Sequence, residues 1–398
     1  MKGHRYWVAV VFFLLAAAPG FWFPALSNTL ESYGMGGWKT LIFTIPPLTG
    51  MISPLIFGAQ ADQRWQAQKV LGWIMLLGAG FLYMAFYALE NYWGAGWFLF
   101  FFSINALISA PAWSLLITIT LSSLPDAGRA FGYFRVWGTL GWMSASILVS
   151  RLDWDFSAKN GQVAAVIRVF AGAACFLLPI TLPKGQLSKR WFDALGLGAV
   201  KLLRDRDLSV YFLSALLFSI PLGAFYLHTP QHLKELGIDH PSQYMATGQI
   251  LETISMLGMG FVIGKYRVKT ILLIAMGCGV LRYSFYAIDD TFWLVAGIML
   301  HGVCWTFFFE AGRVFVHRRV DEGMRGQAQA LLGFFTGGLG GVLGIVVVDL
   351  IYRFTVEQYG WSTYWMILTG MNCLAMTFFA IGYRGLPPNA GSVAKAAP

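Results

Sequence analysis

The polar residues that lie inside long apolar runs carry the chemistry of this chain. In Phe134-Arg135-Val136-Trp137-Gly138-Thr139-Leu140-Gly141, Arg135 and Thr139 are four residues apart and share one helical face. An arginine at the centre of a spanning helix costs about 2.5–3.5 kcal/mol on insertion scales, so the guanidinium needs a partner or a wet cavity. Arg135 also stands about one turn from the end of its run, where snorkelling would satisfy it instead. In Gln249-Ile250-Leu251-Glu252-Thr253 an amide and a carboxyl share a face at i, i+3, and no basic residue lies within seven positions of Glu252. That carboxyl must find a partner on another helix, as a structural salt bridge, or carry a proton that it can exchange. Glu310 precedes Arg313 by three residues, a spacing that suits an intrahelical ion pair or a second proton-exchanging acid. Two buried opposite charges without local partners should find common polar ground, so Arg135 and Glu252 are expected to face one central cavity from opposite halves of the chain.

The elements that hold these residues must be membrane helices. Of 398 residues, 57% are apolar, 16% aromatic and only 12% charged, with 45 glycines and a mean hydropathy of +0.61. Soluble globular chains carry about 25% charge, so soluble, disordered and fibrous classes are excluded. A helix crosses the bilayer in about 20 residues, and twelve apolar runs are long enough: 6–26, 38–60, 69–90, 94–120, 131–150, 162–182, 209–228, 245–264, 268–287, 291–316, 326–351 and 361–383. The expected fold is therefore an all-α membrane protein of 12 transmembrane helices in two six-helix bundles. The bundles are 1–182 and 209–398, joined by a cytoplasmic linker at 183–208 that is expected to lie as a helix on the membrane surface.

Charge placement orients the map. With both termini in the cytoplasm, 19 Lys and Arg fall on the inner side, 5 in outer loops, and Arg135, Arg168, Arg282 and Arg313 within spans. That bias is the positive-inside signature, and it accounts for the +9 net charge without a nucleic-acid partner. The basic, apolar N-terminal run continues through Phe21-Trp22-Phe23-Pro24 and is expected to be retained as the first helix rather than cleaved. Cys175, Cys278, Cys304 and Cys373 all lie in apolar runs without metal or redox spacing, so buried free thiols are expected. His228, His232 and His240 are separated by Pro230 and Pro241, which should break any helix between them, and no metal site is expected. The Gly337–Gly341 cluster, with Gly333 and Gly344, reads as a close-packing face.

Between the second and third runs the chain reads Gly58-Ala59-Gln60-Ala61-Asp62-Gln63-Arg64. This resembles the GxxxDRxGRxx gating signature of the major facilitator superfamily, with Arg64 one place late and Trp65 at the second glycine. Within that superfamily FRVWGTLGW, GQILETISM, VLRYSFYA and HGVCWTFFFEAGRVFV with MRGQAQALLGF resemble the nucleoside:proton symporter family, in order and across both halves. The resemblance implies that Arg135, Thr139, Gln249 and Glu252 line the substrate site. It departs at the tenth helix, where Trp305-Thr306 stands in place of the family's aromatic–Asp pair and His301 in place of a Tyr, and at the seventh, where Gly223 and Tyr226 replace Gln and Asn. Tyr226, His301, Trp305 and Thr306 complete the expected substrate-binding set, with Glu252 and Glu310 as proton-coupling acids. Trp137, Phe308 and Phe309 are further aromatic candidates, since aromatic rings stack on a base or sugar ring.

The resemblance implies a secondary transporter that takes up nucleosides with protons by alternating access, in a bacterial inner membrane and as a monomer. A proton symporter for a sugar or another small polar metabolite is the alternative within the class. A membrane-embedded transferase should show an acid/His cluster at one membrane face and a sizeable polar loop. A scaffold has no need of Arg135 and Glu252 in lipid, and ATP-driven transport lacks its nucleotide domain. The partners implied are the small-molecule substrate, protons and the lipid bilayer, with no cofactor and no nucleic acid.

Overall fold

A computed structural model describes residues 2–53, 66–123, 127–180, 197–321 and 324–385. The gating motif Gly58, Asp62 and Arg64, and most of the linker, lie outside the described residues. The described residues are helical with short connections and contain no strand, as a chain that must satisfy its backbone in hydrocarbon requires. Eight helical stretches among them are long and apolar enough to cross a membrane. The stretch Arg325–Gly382 contains both expected spans 326–351 and 361–383, because the chain breaks at Gly360 in the left-handed region, φ 77°. The expected spans 38–60, 131–150 and 162–182 are not among the eight for local reasons. The described part of the first is the 15-residue helix Lys39–Ser53, and the third is the 17-residue helix Lys159–Cys175. The helix of the second, Ala127–Arg151, is long enough but carries Arg129, Arg135 and Arg151.

The chain divides into two compact units, Met1–Leu187 with Phe225–Thr253, and Ser188–Ala224 with Ile254–Pro398. In the first unit the helices are α1 (Lys2–Trp22), α2 (Leu26–Ser32), α3 (Lys39–Ser53), α4 (Ala67–Glu90), α5 (Ala95–Ser109), α6 (Ala112–Ser123), α7 (Ala127–Arg151) and α8 (Lys159–Cys175). Two glycine contacts bring α1 and α7 backbone to backbone. A Cβ on Gly141 would overlap the carbonyl of Phe13, and one on Gly20 would lie 2.8 Å from the carbonyl of Trp142. Also on α7, Gly138 lies against Trp113 of α6 and Ala16 of α1. Val8, Val11, Phe12 and Leu15 of α1 pack with Leu71, Met75, Leu116 and Cys175 into this unit's core.

One buried cation sits inside that core. Arg168 of α8 donates to Asn105 Oδ1 at 2.6 Å and Ser109 Oγ at 2.5 Å, both on α5, in space left by Gly78 of α4.

The segment Phe225–Thr253 includes most of α10 (Ala224–Leu227) and all of α11 (Thr229–Glu235) and α12 (Pro241–Met245). No single helix carries the three histidines: Pro230 and Pro241 occupy first-turn positions of the separate helices α11 and α12, where the missing N–H costs nothing. His228, His232 and His240 are thus placed at or in short helices, and no group of three metal-type ligands occurs among the described residues.

The second unit holds α9 (Arg206–Leu222), most of α13 (Gly248–Lys265), α14 (Val268–Tyr286), α15 (Thr291–Cys304), α16 (Ala311–Arg319), α17 (Arg325–Gly333) and α18 (Gly340–Gly382). Trp305–Glu310 and Phe334–Leu339 are π-helical and connect α15 to α16 and α17 to α18. Of the glycine cluster, Gly340 and Gly344 do pack closely, against Ser219 and Ile220 of α9. Gly333 and Gly337 meet nothing within 4 Å, while Gly338 within the π turn is buried. Arg319 ties the start of α9 to the end of α16 through Asp205, 3.0 Å, and Asp207, 3.7 Å. All four cysteines are free thiols; Cys175 and Cys304 are buried, and Cys278 and Cys373 are half-buried.

Candidate functional site

The structure brings Arg135 and Glu252 together within the first unit. Thr139 stands between them, 3% exposed. Its hydroxyl donates to Glu252 Oε1 at 3.0 Å and accepts from Arg135 Nη1 at 3.4 Å. The direct ion pair is looser, Arg135 Nη2 to Glu252 Oε1 at 4.0 Å. Threonine therefore relays the contact: one hydroxyl serves the cation as acceptor and the carboxylate as donor. Glu252 is 7% exposed, so the hydroxyl and the guanidinium can both act on its carboxyl with little screening.

Gln249 lies one turn before Glu252 on α13 and is likewise buried. Its amide nitrogen, turned toward the helix, donates to the carbonyl of Ala246 at 3.1 Å. The Tyr226 side chain lies beside those of Gln249 and Glu252. Its ring packs on Phe23 at 4.8 Å and Trp142 at 5.9 Å between centroids. Arg135, Thr139, Gln249, Glu252 and Tyr226 thus form one cluster, walled by aromatic rings. Phe23, Trp142 and Trp113 are residues that sequence reasoning missed as site components. For Trp142 the signal was available, since it follows Thr139 by three residues on the same helical face. Trp137 points elsewhere and is 46% exposed.

Near the short helices a second polar layer anchors the segment 227–243 to the N-terminal helices. Ser27 Oγ donates to the Leu227 carbonyl at 2.6 Å and Asn28 Nδ2 to that of Pro230 at 3.1 Å. Ser242 N–H donates to Asp155 Oδ1 at 2.8 Å, and Gln243 N–H to Ser150 Oγ at 2.9 Å. His240 Nδ1 lies 3.7 Å from Asp153 Oδ1 and 4.0 Å from Asp155 Oδ2. Burial pushes the Asp155 carboxyl above its ordinary value, while hydrogen bonds from Ser242 and Ser150 and the nearby His240 pull it partly back.

The remaining expected site residues belong to the second unit. Arg282 Nη1 donates to His301 Nδ1 at 2.8 Å, which assigns the ring proton to Nε2, since a guanidinium cannot accept. The His301 ring lies 6.0 Å from that of Trp305, which continues to Phe309 at 5.0 Å. Thr306 is fully buried, and its hydroxyl has no hydrogen-bond partner among the described residues. Glu310 approaches Arg313 at 3.9 Å, the expected i, i+3 pair. Phe308 and Phe309, candidate ring-stacking residues in the sequence, are core residues packed with Tyr211 and Phe218.

A family model described as Nucleoside H+ symporter matches residues 4–386. The putative nucleoside transporter YegT of Escherichia coli (strain K12) is 28% identical over 390 residues, covering 92% of this chain and 90% of that protein. The nucleoside permease NupG of the same organism is 27% identical over 361 residues, 84% of each chain. The crystal structure of a single-substitution variant of nucleoside transporter NupG superposes with a TM-score of 0.85 at 23% identity, covering 96% of this chain and 100% of that one.

Proposed function

The chain belongs to the nucleoside H+ symporter family and has the 12-helix fold of major facilitator transporters, and from that premise we propose that it takes up nucleosides together with protons by alternating access. It is a transporter, not an enzyme, and an integral multi-pass membrane protein. The observation that carries the substrate reading is the Arg135–Thr139–Glu252 relay beside Gln249. Such a set offers donors and acceptors to the hydroxyls of a ribose, while Phe23, Trp142 and Tyr226 supply ring faces for a base. Arg135, Thr139, Gln249, Glu252 and Tyr226 bind the substrate in this reading, with His301, Trp305 and Thr306 contributing. The ribose-binding chemistry would serve a sugar equally, which makes a sugar symporter the second reading.

Glu252 is the proposed proton carrier, since Thr139 can donate to its carboxylate or accept from its protonated form. Glu310, already engaged by Arg313, is the reserve. The halves 1–182 and 209–398 are the moving parts, and Gly58, Asp62 and Arg64 the gate. Both termini face the cytoplasm of a bacterial inner membrane, and the protein works as a monomer. A cycle that parts these halves has to release the hydrogen bonds between 227–243 and Ser27, Asn28, Ser150 and Asp155. The test is uptake of radiolabelled nucleosides and of sugars into proteoliposomes with and without a pH gradient. Nucleoside accumulation that requires the gradient supports the reading; accumulation of sugars alone replaces it with the second.

A further inference from the structure

The polar partners of Arg135 leave its guanidinium weakly fixed. The hydrogen bond to Thr139 is long at 3.4 Å, and the carboxylate of Glu252 is 4.0 Å away. What holds the group is aromatic. The Arg135 guanidinium carbon lies 5.0 Å from the centre of the Trp113 ring. Trp113, near the start of α6, is itself braced by Phe12 of α1, with ring centroids 5.8 Å apart, and by the first unit's core. Gly138 completes the arrangement. A Cβ there would lie 3.1 Å from Trp113 Cη2 and 3.3 Å from Arg135 Nη1, tight against both the indole and the cation. Arg135, Gly138 and Thr139 lie at i, i+3 and i+4, so the arginine, the gap that admits it against the indole and its hydroxyl partner follow from one helical face.

We propose that Trp113 and Gly138 form a cradle that positions the Arg135 guanidinium for substrate. The indole face keeps it in place in the half of the cycle in which Glu252 carries a proton. This rests on the reading of Glu252 as proton carrier. When that carboxyl is neutral, Arg135 loses its opposite charge and its polar contact through Thr139 weakens. The electron-rich face of Trp113 keeps its attraction in either state, because it does not titrate. Trp113 is a positioning residue: it acts through Arg135.

Tryptophan analogues with one, two and three ring fluorines, placed at position 113, test this, because fluorine drains the ring face while size and apolarity are nearly kept. Two readouts are taken across the series at pH 5.5 and 7.5: the affinity for radiolabelled nucleoside in counterflow, and Tm of the purified protein. The expected result is a stepwise loss of affinity totalling about two- to thirtyfold, the range of a cation–π contact. Tm should fall in parallel, both losses being steeper at pH 5.5 and the Tm trend absent in an Arg135→Gln background. Trp113→Tyr and Trp113→Phe should rescue more than Trp113→Leu, and Gly138→Ala should lower affinity by crowding the cradle. A flat response to fluorine, with wild-type transport intact, overturns the proposal and leaves Trp113 a packing residue. If the wild type transports no nucleoside, the functional reading fails instead. The Tm series and its dependence on Arg135 still decide the cradle, a fluorine trend supporting it and a flat one overturning it.

Discussion

Replacing Glu252 by Gln separates binding from coupling. The substitution keeps the size and an oxygen that can accept from Thr139 at the observed 3.0 Å, but removes the charge 4.0 Å from Arg135. Two unit charges at that distance interact by about 4 kcal/mol at an effective dielectric of 20. Most of this is offset by the cost of holding a carboxylate out of water. What the variant loses is the difference between a charge-assisted and a neutral hydrogen bond, about 1 kcal/mol, or about fivefold in affinity. The energetic loss is different in kind. A gradient of two pH units is worth about 2.7 kcal/mol per proton, so one proton per nucleoside supports about hundredfold accumulation. A protein that no longer titrates supports none. In proteoliposomes, Glu252→Gln should exchange labelled for unlabelled nucleoside at a modestly raised KM and bring internal and external concentrations only to equality. If it still concentrates substrate several-fold under the gradient, the proton travels elsewhere, Glu310 being the next acid to test.

Other substitutions probe the surroundings. Arg135→Lys should weaken counterflow affinity about tenfold, more than a retained positive charge suggests, because a point charge cannot both reach Thr139 and lie flat on Trp113; an unchanged KM would refute this. Because burial raises the Asp155 carboxyl, the folded state favours its protonated form. Its contribution to stability is thus full below its unfolded value of about 4 and lost as pH rises through the raised one. Tm of the wild type should fall over that window, and Asp155→Asn should flatten the fall. Gly141→Ala drives a methyl into the Phe13 carbonyl and should cost about 1–3 kcal/mol of stability, whereas Gly80→Ala, facing open space in α4, should be neutral or stabilising in the same thermal assay.

Charge in an apolar run was the informative signal in the sequence. Arg135 and Glu252 stood out because each lacked a local partner, and burial of opposite charges leaves few places for them to go. The spans were legible for the same reason: apolar length. Their interruptions were less so. Gly360 is one of 45 glycines, and nothing local marks it as the one whose left-handed backbone divides Arg325–Gly382. Trp113 and Phe23 were hidden among 65 aromatic residues, most of which have lipid or core to face. The anchoring of Ser242 and Gln243 on Asp155 and Ser150 was invisible because backbone donors carry no residue signature. A period of 3.6 residues also gives no warning of the π turn at Phe334–Leu339, and nothing in the cluster's spacing marks Gly333 and Gly337 as the members that meet open space.

The two π turns behave like a wrinkle in a carpet. Each accommodates one surplus residue between helical stretches, Thr291–Cys304 with Ala311–Arg319 and Arg325–Gly333 with the start of α18. Sliding such a wrinkle along its helix advances each residue it passes by about 1.5 Å and about 100°. The ends need not move, and only one turn of hydrogen bonds is exchanged at a time. Trp305, Thr306 and Glu310 sit on one of these wrinkles, so their side chains can be re-aimed by travel of the surplus residue rather than by rotation of a whole span.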